Sequence, residues 1–469
     1  MRKTKIICTL GPNCRDIGTL EKMLAGGMDA ARLNFSHQNH SFHRENIETI
    51  KELRRRTGKP LALILDTKGP EIRTGLLEGG AAELKAGEKT VLSAAAGEGN
   101  ARLIGISFPG LADTLNPGDI ILIDDGKIKL AVDKISGGEI SCEILRGGIL
   151  GNTRGVNLPG IDTDIPFLSE RDRADLLLGI EQGVDYVAAS FVRSAEDVRQ
   201  MRRFLCDNGG GDIRIISKIE SRSAVKRFED ILKESDGIMV ARGDLGVEVP
   251  FERLPGLQKK MISLCYKSGK MAVTATQMLE SMISGGDPTR AEISDVANAV
   301  FDMTSAVMLS GETAIGKDPA AVVEAMARIC SRAQEDCGSF CTACRREQPE
   351  PLCDATDAVC AAAVTAAESI NAAAIIAVTA NGRTARLAAK YRPSIPIIAA
   401  AFSERVFNQL AANWGVIPLL TEPEQNPARA FERAAETAER LGLIRSGDRL
   451  VLVCGASPSS PGHNMLRIV

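Results

Sequence analysis

The chain reads as an α/β protein: a (β/α)8 TIM barrel with an inserted β-barrel lid domain and a separate C-terminal α/β domain. Three observations carry that reading. Eight short apolar runs recur, most of them followed at once by a polar or glycine cluster. One interval between runs is far longer than a βα connection needs. Beyond about Arg332 the composition changes to a polar, cysteine-rich stretch.

The eight runs are Lys5–Thr9, Met28–Leu33, Leu61–Leu65, Tyr186–Ala189, Ile213–Ser217, Gly237–Ala241, Met271–Thr274 and Ala306–Leu309. They are apolar along their length rather than alternating, as parallel strands buried on both faces require. Helical patterns fill the intervals at Leu20–Gly26, at Glu196–Phe204 and after Pro288. In the last of these Ile293, Val296, Ala297 and Val300 share one face. Eight strands alternating with helices describe the barrel.

The long interval lies between Leu65 and Tyr186. Within it, residues 75–156 have β character at Thr90–Leu92, Ile120–Ile123, Ile128–Val132 and Ile140–Ile144. Turns follow at Asn116-Pro117-Gly118, Asp125-Gly126 and Gly137-Gly138. A β domain inserted after the third barrel strand is expected, on the face where insertions can act as lids. The barrel then comprises residues 1–74 and 157–332. Residues 333–469 form the last domain, with a helix at Ala358–Ile370, a strand at Ile375–Thr379, a helix at Thr384–Lys390 and strands at Ile397–Ala400 and Leu450–Cys454. An open parallel sheet is expected there.

Composition narrows the function classes. A chain of 469 residues exceeds a single hydrophobic core, and 44% hydrophobic with 25% charged residues is a globular balance. Aromatics are 4% and the net charge is −3. The chain therefore offers neither stacking platforms nor a basic field for nucleic acid. No apolar stretch is long enough to span a membrane, and no signal-peptide core follows Met1-Arg2-Lys3. The 12 cysteines without a secretory signal read as reduced thiols, so a cytoplasmic location is expected.

Barrel active sites lie at the C-terminal ends of the strands. The residues there are Arg32, Asn34, Ser36 and His37; Asp66, Thr67, Lys68, Glu71 and Arg73; Lys218 and Glu220; Arg242, Gly243 and Asp244; Thr276 and Gln277; and Ser310 and Glu312. Cations and carboxylates converge from several strands, which suits an anionic substrate held through a divalent metal. Glu220 and Asp244 are the natural pair for Mg²⁺, which takes few carboxylates and keeps room for substrate oxygens.

These segments also resemble a known family. Lys5-Ile6-Ile7-Cys8-Thr9-Leu10-Gly11-Pro12, Arg32-Leu33-Asn34-Phe35-Ser36-His37 and Asp66-Thr67-Lys68-Gly69-Pro70-Glu71-Ile72-Arg73 are similar to the N-terminal blocks of pyruvate kinases. So are Ser217-Lys218-Ile219-Glu220, Ala241-Arg242-Gly243-Asp244-Leu245-Gly246, Ala275-Thr276-Gln277-Met278-Leu279-Glu280-Ser281-Met282, Pro288-Thr289-Arg290-Ala291-Glu292 and Met308-Leu309-Ser310-Gly311-Glu312-Thr313-Ala314. The resemblance spans the whole chain.

It implies transfer of the phosphoryl group of phosphoenolpyruvate to ADP, giving pyruvate and ATP, with Mg²⁺ (or Mn²⁺) and K⁺ as cofactors. Glu220 and Asp244 would hold Mg²⁺, and Lys218 would neutralise charge on the bridging oxygen. Arg32 would grip the phosphoryl group, while Gly243, Asp244 and Thr276 would cradle the substrate carboxylate. Asn34, Ser36, Asp66 and Thr67 would form the K⁺ site. Asn34, His37, Arg73 and Arg154 would face the nucleotide. Thr276 and Ser310 would end a proton relay to the enolate carbon. Thr379-Ala380-Asn381-Gly382-Arg383-Thr384 resembles the loop that takes a phosphorylated effector, against the simpler reading of an ordinary strand–turn–helix connection. A homotetramer is implied as well. The similarity runs on to Pro461-Gly462-His463-Asn464 and Leu466–Val469, so the extra C-terminal domain of some bacterial members is not expected.

The chain departs from the family pattern at three points. Thr153-Arg154 stands where lysines are usual, Ser221 where Asn is usual, and Ser305 where Asp is usual. Members that work without K⁺ tend to carry Lys where this chain has Glu71, so a K⁺ requirement is expected. Other readings compete with this one. Cys337, Cys341 and Cys344 have a spacing associated with an iron–sulfur cluster, but follow the eighth strand rather than an early one. His37, His40 and His43 suggest a metal cluster, although the first belongs to its motif and the others are expected on a solvated helix. A barrel lyase acting on pyruvate or phosphoenolpyruvate is the rival enzyme, but would need no lid or nucleotide-side residues. A silent binding protein would be expected to lack Lys218, Glu220 or Asp244.

Overall fold

A computed structural model describes residues 1–340, 354–424, 426–454 and 464–469. Eight parallel strands close into a barrel: β1 (Lys5–Thr9), β2 (Ala30–Asn34), β3 (Ala62–Asp66), β4 (Tyr186–Ala189), β5 (Arg214–Ile219), β6 (Gly237–Ala241), β7 (Met271–Ala275) and β8 (Ala306–Leu309). Closure is made by β1 against β8, with Lys5 opposite Ala306 and Cys8 opposite Leu309. Four of the expected strands have the observed limits, and the others shift by one or two residues. Inside the barrel Ile7, Ile64, Tyr186, Ile216, Met239, Val273 and Met308 pack on one another. The outward faces of the same strands meet the helices. That double burial is why the runs lack alternation.

Two expectations about helices change. The helix after Pro288 spans Arg290–Phe301, with Thr289 as a capping box to Glu292, and buries Val296, Ala299 and Val300. Its inward stripe is therefore rotated from the expected one, and Ile293 is 39% exposed. The helix Pro319–Phe340 runs through Arg332, so the compositional change there falls inside an element. Of the cysteine trio, Cys341 and Cys344 lie outside the described residues.

The inserted domain contains a seven-stranded sheet and a separate two-stranded ribbon, Ala81–Leu84 with Gly148–Gly151. The sheet's two edges, Ile72–Arg73 and Leu103–Gly105, meet through a bridge between Thr74 and Ile106 and through the Gly75 and Ser107 amides, which donate to the Gly105 and Arg73 carbonyls at 2.7 and 2.9 Å, so the β barrel expected there closes. Leu84 and Leu150 of the ribbon join Leu92, Ile121, Leu130 and Ile140 of the sheet in one core, distinct from that of the barrel. The domain enters and leaves through two short paired strands, Ile72–Arg73 and Gly155–Asn157.

The C-terminal sheet has strands β9 (Ala374–Thr379), β10 (Ile397–Ala401), β11 (Val416–Leu420), β12 (Leu450–Cys454) and β13 (Met465–Ile468), in the order β11-β10-β9-β12-β13. Four are parallel, but β13 runs antiparallel to β12, so the sheet is mixed rather than wholly parallel. The sequence reading missed β11 and β13. Both are edge strands, where Pro418 is tolerated because one side needs no ladder bond.

This domain seals the barrel's N-terminal mouth. Ala411 and Ala412 pack with the residues of the barrel interior. The Gln409 amide donates to the carbonyls of Asp185 and Asp212, at 3.2 and 2.9 Å, and the Tyr186 hydroxyl donates to the Gln409 carbonyl at 2.8 Å.

Near the same mouth, the Asp185 carboxylate accepts from the Arg54 guanidinium at 2.5 Å and from the Leu63 amide at 2.8 Å. Burial raises its pKa against the pull of Arg54. Asp185→Ala strips these donors of their acceptor. It should cost about 3 kcal/mol, the scale of breaking a buried ion pair. Urea denaturation measures this, and a loss below about 1 kcal/mol would show that the pair behaves as a solvated one.

Candidate active site

The strand ends build the site from one buried carboxylate outward. Asp66, at the end of β3, accepts from Arg32 Nε at 2.7 Å through Oδ2. Its Oδ1 accepts from Lys218 Nζ of β5 at 3.1 Å. Lys218 Nζ also donates to Ser190 Oγ at 2.7 Å and pairs with Glu220 Oε1 at 3.0 Å. Ser190 in turn donates to the Thr67 carbonyl at 2.6 Å. Arg32 is braced a second time by Thr9 Oγ1 at 2.8 Å. Arg32, Asp66, Lys218 and Glu220 are all buried.

Burial sets the electrostatics. It would raise the pKa of Asp66, but the charges of Arg32 and Lys218 outweigh it and hold the carboxyl below its usual range. Burial would likewise depress Lys218, yet Asp66 and Glu220 overcome it, and the ammonium is held above its ordinary value. Glu220 is pushed up, first by burial and then by Asp244, against the pull of Lys218. Asp244 is also raised by burial, with Asp125 of the lid adding to the effect against the pull of Lys218. Two facing carboxylates that resist ionisation together are a donor set suited to a divalent cation, which would favour both charged forms. Among the described residues no group of three His, Cys, Asp or Glu side chains forms a metal cluster.

A cleft of 180 Å³ brings together Arg32, Asn34, Ser36, His37, Glu71, Arg73, Lys218, Glu220, Asp244, Thr276 and Ser310. Burial and the nearby Arg73 charge lower the pKa of His37, so its ring is neutral near pH 7. A second cavity of 110 Å³ separates the lid from the barrel, with Asp125 on one side and Asp244 on the other.

Other expected residues take different places. Asp66 and Thr67 lie beneath the cleft floor, and Thr67 Oγ1 accepts from the Ser190 amide at 3.1 Å. The Gly243 amide donates to Thr276 Oγ1 at 2.8 Å, so that N–H is committed within the fold. Arg154 directly precedes the lid's return strand, its side chain 50% exposed and 3.7 Å from Asp124, away from the cleft lining. His43 is buried rather than solvated, stacked on Phe35 at 3.9 Å, while His40 pairs with Asp175 at 2.5 Å. In the C-terminal domain Thr379 and Thr384 are buried, whereas Asn381 and Arg383 are exposed around Gly382 at φ +79°. Arg383 pairs with Asp354.

Arg242, counted among the converging cations, serves the backbone instead. Thr276 and Gln277 adopt φ of +70° and +53°, a conformation costly for side chains with a Cβ. The Arg242 guanidinium donates to the Thr276 carbonyl at 2.6 Å and the Gln277 carbonyl at 3.2 Å, and is anchored by Asp295 at 2.7 Å. Glu312 does similar work by accepting from the amides of Ser310 and Leu279, at 2.6 and 3.1 Å, which ties the turn after β8 to that after β7.

Ser190 and Phe191 were missed. The Phe191 amide donates to Glu220 Oε2 at 2.5 Å from a backbone with φ +52°. Both directly follow β4, which with β1 contributes no residue to the strand-end set read from the sequence.

Comparisons agree with this geometry. The family model described as pyruvate kinase, barrel domain, matches residues 1–323, and that described as pyruvate kinase, alpha/beta domain, matches residues 357–469. A pyruvate kinase of Geobacillus stearothermophilus is 43% identical over 470 residues, covering 100% of this chain and 80% of that protein. One from Clostridium perfringens is 42% identical, covering 100% and 99%. The crystal structure of a pyruvate kinase from Cryptosporidium parvum superposes with a TM-score of 0.92 at 40% identity, covering 100% of this chain and 96% of that one.

The clamp on Thr276 and Gln277 is testable without an activity assay. Arg242→Lys keeps the charge and loses the fork. Amide exchange across Thr276–Leu279 should quicken by about tenfold, equivalent to ~1.4 kcal/mol of local opening, with β1–β6 unchanged. Unaltered protection there would show that the turn holds its shape without the guanidinium.

Proposed function

The chain belongs to the pyruvate kinase family, and on that premise we propose that it transfers the phosphoryl group of phosphoenolpyruvate to ADP, yielding pyruvate and ATP. The observation that carries the reading is Lys218, held between Asp66, Glu220 and Ser190 at the floor of the cleft. The rival lyase finds no support in the family membership.

Each residue's part follows from its surroundings. Arg32 gives Nε to Asp66 and Nη1 to Thr9, leaving Nη2 for the phosphoryl oxygens. Lys218 stays protonated because its pKa is raised, so a fixed positive charge meets the bridging oxygen as it becomes an enolate. Such charge, aimed before the reaction begins, needs no reorganisation in the transition state. Glu220 and Asp244 would hold Mg²⁺, or Mn²⁺ in its place. Bound there, the metal offsets phosphoryl and carboxylate charge and orients the two substrates. Thr276 Oγ1 reaches the Ala275 carbonyl at 2.6 Å, which makes Ser310 the freer hydroxyl to end a proton relay to the enolate carbon. Arg73 and His37 line the side expected for the nucleotide.

Lys218→Met should reduce turnover in a coupled assay of ADP-dependent pyruvate formation by about 10³-fold or more. Substrate binding, read by calorimetry, should change little. Survival of turnover within about tenfold, or ~1.4 kcal/mol, would remove Lys218 from the mechanism.

K⁺ is the second cofactor of this reading. Asn34 and Ser36 face the cleft with neutral oxygens, and the Asp66 carboxylate beneath them retains acceptor capacity on Oδ2. Glu71 pairs with Arg73 at 2.8 Å, so its charge is partly met already. Two accounts of Glu71 thus make opposite predictions. If it adds to an anionic excess, the rate falls steeply when tetramethylammonium replaces K⁺ at equal ionic strength, and Glu71→Lys flattens that response. If the Arg73 pair absorbs the charge, wild-type rates in the two salts are equal, and the charge-balance argument is wrong.

The wider assembly follows the family: a homotetramer acting in the cytoplasm, with a phosphorylated metabolite bound near Thr379–Thr384. The exposed Arg383 supports the last point. Among the described residues no helix is long and apolar enough to cross a membrane.

A further inference from the structure

Far from the catalytic cleft, a cavity of 40 Å³ lies between the barrel and the C-terminal domain. Its walls include Tyr266, Lys270, Ser305, Arg386, Arg392 and Trp414. Forty cubic ångströms exceeds the roughly 10–15 Å³ of free space that one water needs.

The charges around it do not balance. Arg392 donates Nη2 to the Met303 carbonyl and to Ser305 Oγ, both at 3.0 Å, and lies over the Trp414 ring at 4.3 Å. Its Nε and Nη1 are buried without an acceptor, as is Nη1 of Arg386, whose Nη2 donates to the Asn381 carbonyl at 2.7 Å. The nearby carboxylates are engaged elsewhere. Asp236 is shared by Arg202 and Arg214, at 2.5 and 3.0 Å, and Asp357 meets Lys390 at 2.9 Å. Lys270 adds a further cation, donating to the carbonyls of Leu232 and Lys233. Among the described residues neither Arg386 nor Arg392 has a carboxylate within ion-pair distance.

Buried guanidinium groups with idle N–H donors are costly unless an anion meets them. Burial depresses both here, Arg392 to about 9 and Arg386 to about 10. The position facing Arg392 is Ser305, one of the three departures noted in the sequence, where a serine hydroxyl replaces the acid that is usual.

We propose that this cavity binds a small oxyanion, a phosphate or carboxylate group, which neutralises Arg386 and Arg392 and joins the C-terminal domain to the barrel. The idle N–H groups of Arg392 and Arg386 are charge-assisted donors that each suit an oxygen of such a group. Ser305 directly precedes β8, and its amide and carbonyl bond to Ala272 and Lys5, so the bound anion would brace the strand that closes the barrel.

The test uses the full chain and Ser305→Asp, which builds the missing carboxylate into the protein. Melting temperature is measured in inorganic phosphate, in succinate and in chloride at matched ionic strength. The wild type should gain a dose-dependent rise in Tm in phosphate or succinate beyond that in chloride, and the larger effect names the ligand class. Ser305→Asp should be more stable than wild type in chloride and respond less to the anion. Phosphate bound in the catalytic cleft raises both proteins alike, so the difference between them isolates this cavity. Equal responses, or a flat response in the wild type, would overturn the proposal and leave the cavity to water. If Ser305→Asp fails to fold, Arg386→Gln carries the comparison and should also lose the anion-dependent rise.

Discussion

The Asp66 carboxylate is the constraint on which the rest of the site depends. It is fully buried, and its charge survives only because Arg32 and Lys218 approach it from β2 and β5. The dependence is mutual. Without Asp66, two cations would face each other in a medium that screens them poorly. With it, both are fixed in position and ionisation state before any ligand arrives. Ser190 and Glu220 complete the ring around Lys218, and Phe191 orients Glu220 in turn. The catalytic groups are thus held by one another as much as by their strands.

The barrel's two ends are assigned different work. The N-terminal mouth is plugged by Ala411, Ala412 and the Gln409 amide, so the scaffold is rigid where no chemistry occurs. The C-terminal mouth carries the strained turns. Thr276, Gln277 and Phe191 all sit at positive φ there. Arg242 and Glu312 supply the buried bonds that hold the turns after β7 and β8. Strain of this kind is tolerated only where the surroundings over-determine the backbone, which explains why ionisable residues next to the site are spent on carbonyls and amides.

How legible this was in the sequence differed by level. The barrel strands could be read because burial on both faces leaves an uninterrupted apolar run, a signal independent of neighbours. Strand-end residues followed from topology alone, and Arg32, Lys218, Glu220, Asp244, Thr276 and Ser310 line one cleft. Three kinds of information were not local. Whether an arginine faces substrate or backbone depends on which carbonyls the next turn presents, and Arg242 was misjudged for that reason. The edge strands β11 and β13 lack double burial, and Pro418 and Arg467 interrupt their apolar residues. His43, polar by composition, is buried because Phe35 stacks on it from another element. Ser190 needed no new signal, only the same question put to β4.

The paired strands at the base of the lid have a mechanical consequence. Ile72–Arg73 and Gly155–Asn157 are cross-linked by backbone bonds, and Thr74 and Arg154 extend the pairing by one step. Gly155–Asn157 pairs on its other side with Ile120–Ile123, so the connection is continuous with the lid's own sheet. The lid is therefore connected as a flap on a leaf spring rather than as a ball on two strings. The cavity that this spring spans holds Asp125 on one side and Asp244 on the other. Shutting the cleft then surrenders few degrees of freedom, and most of the binding energy of a ligand remains for holding the ligand itself.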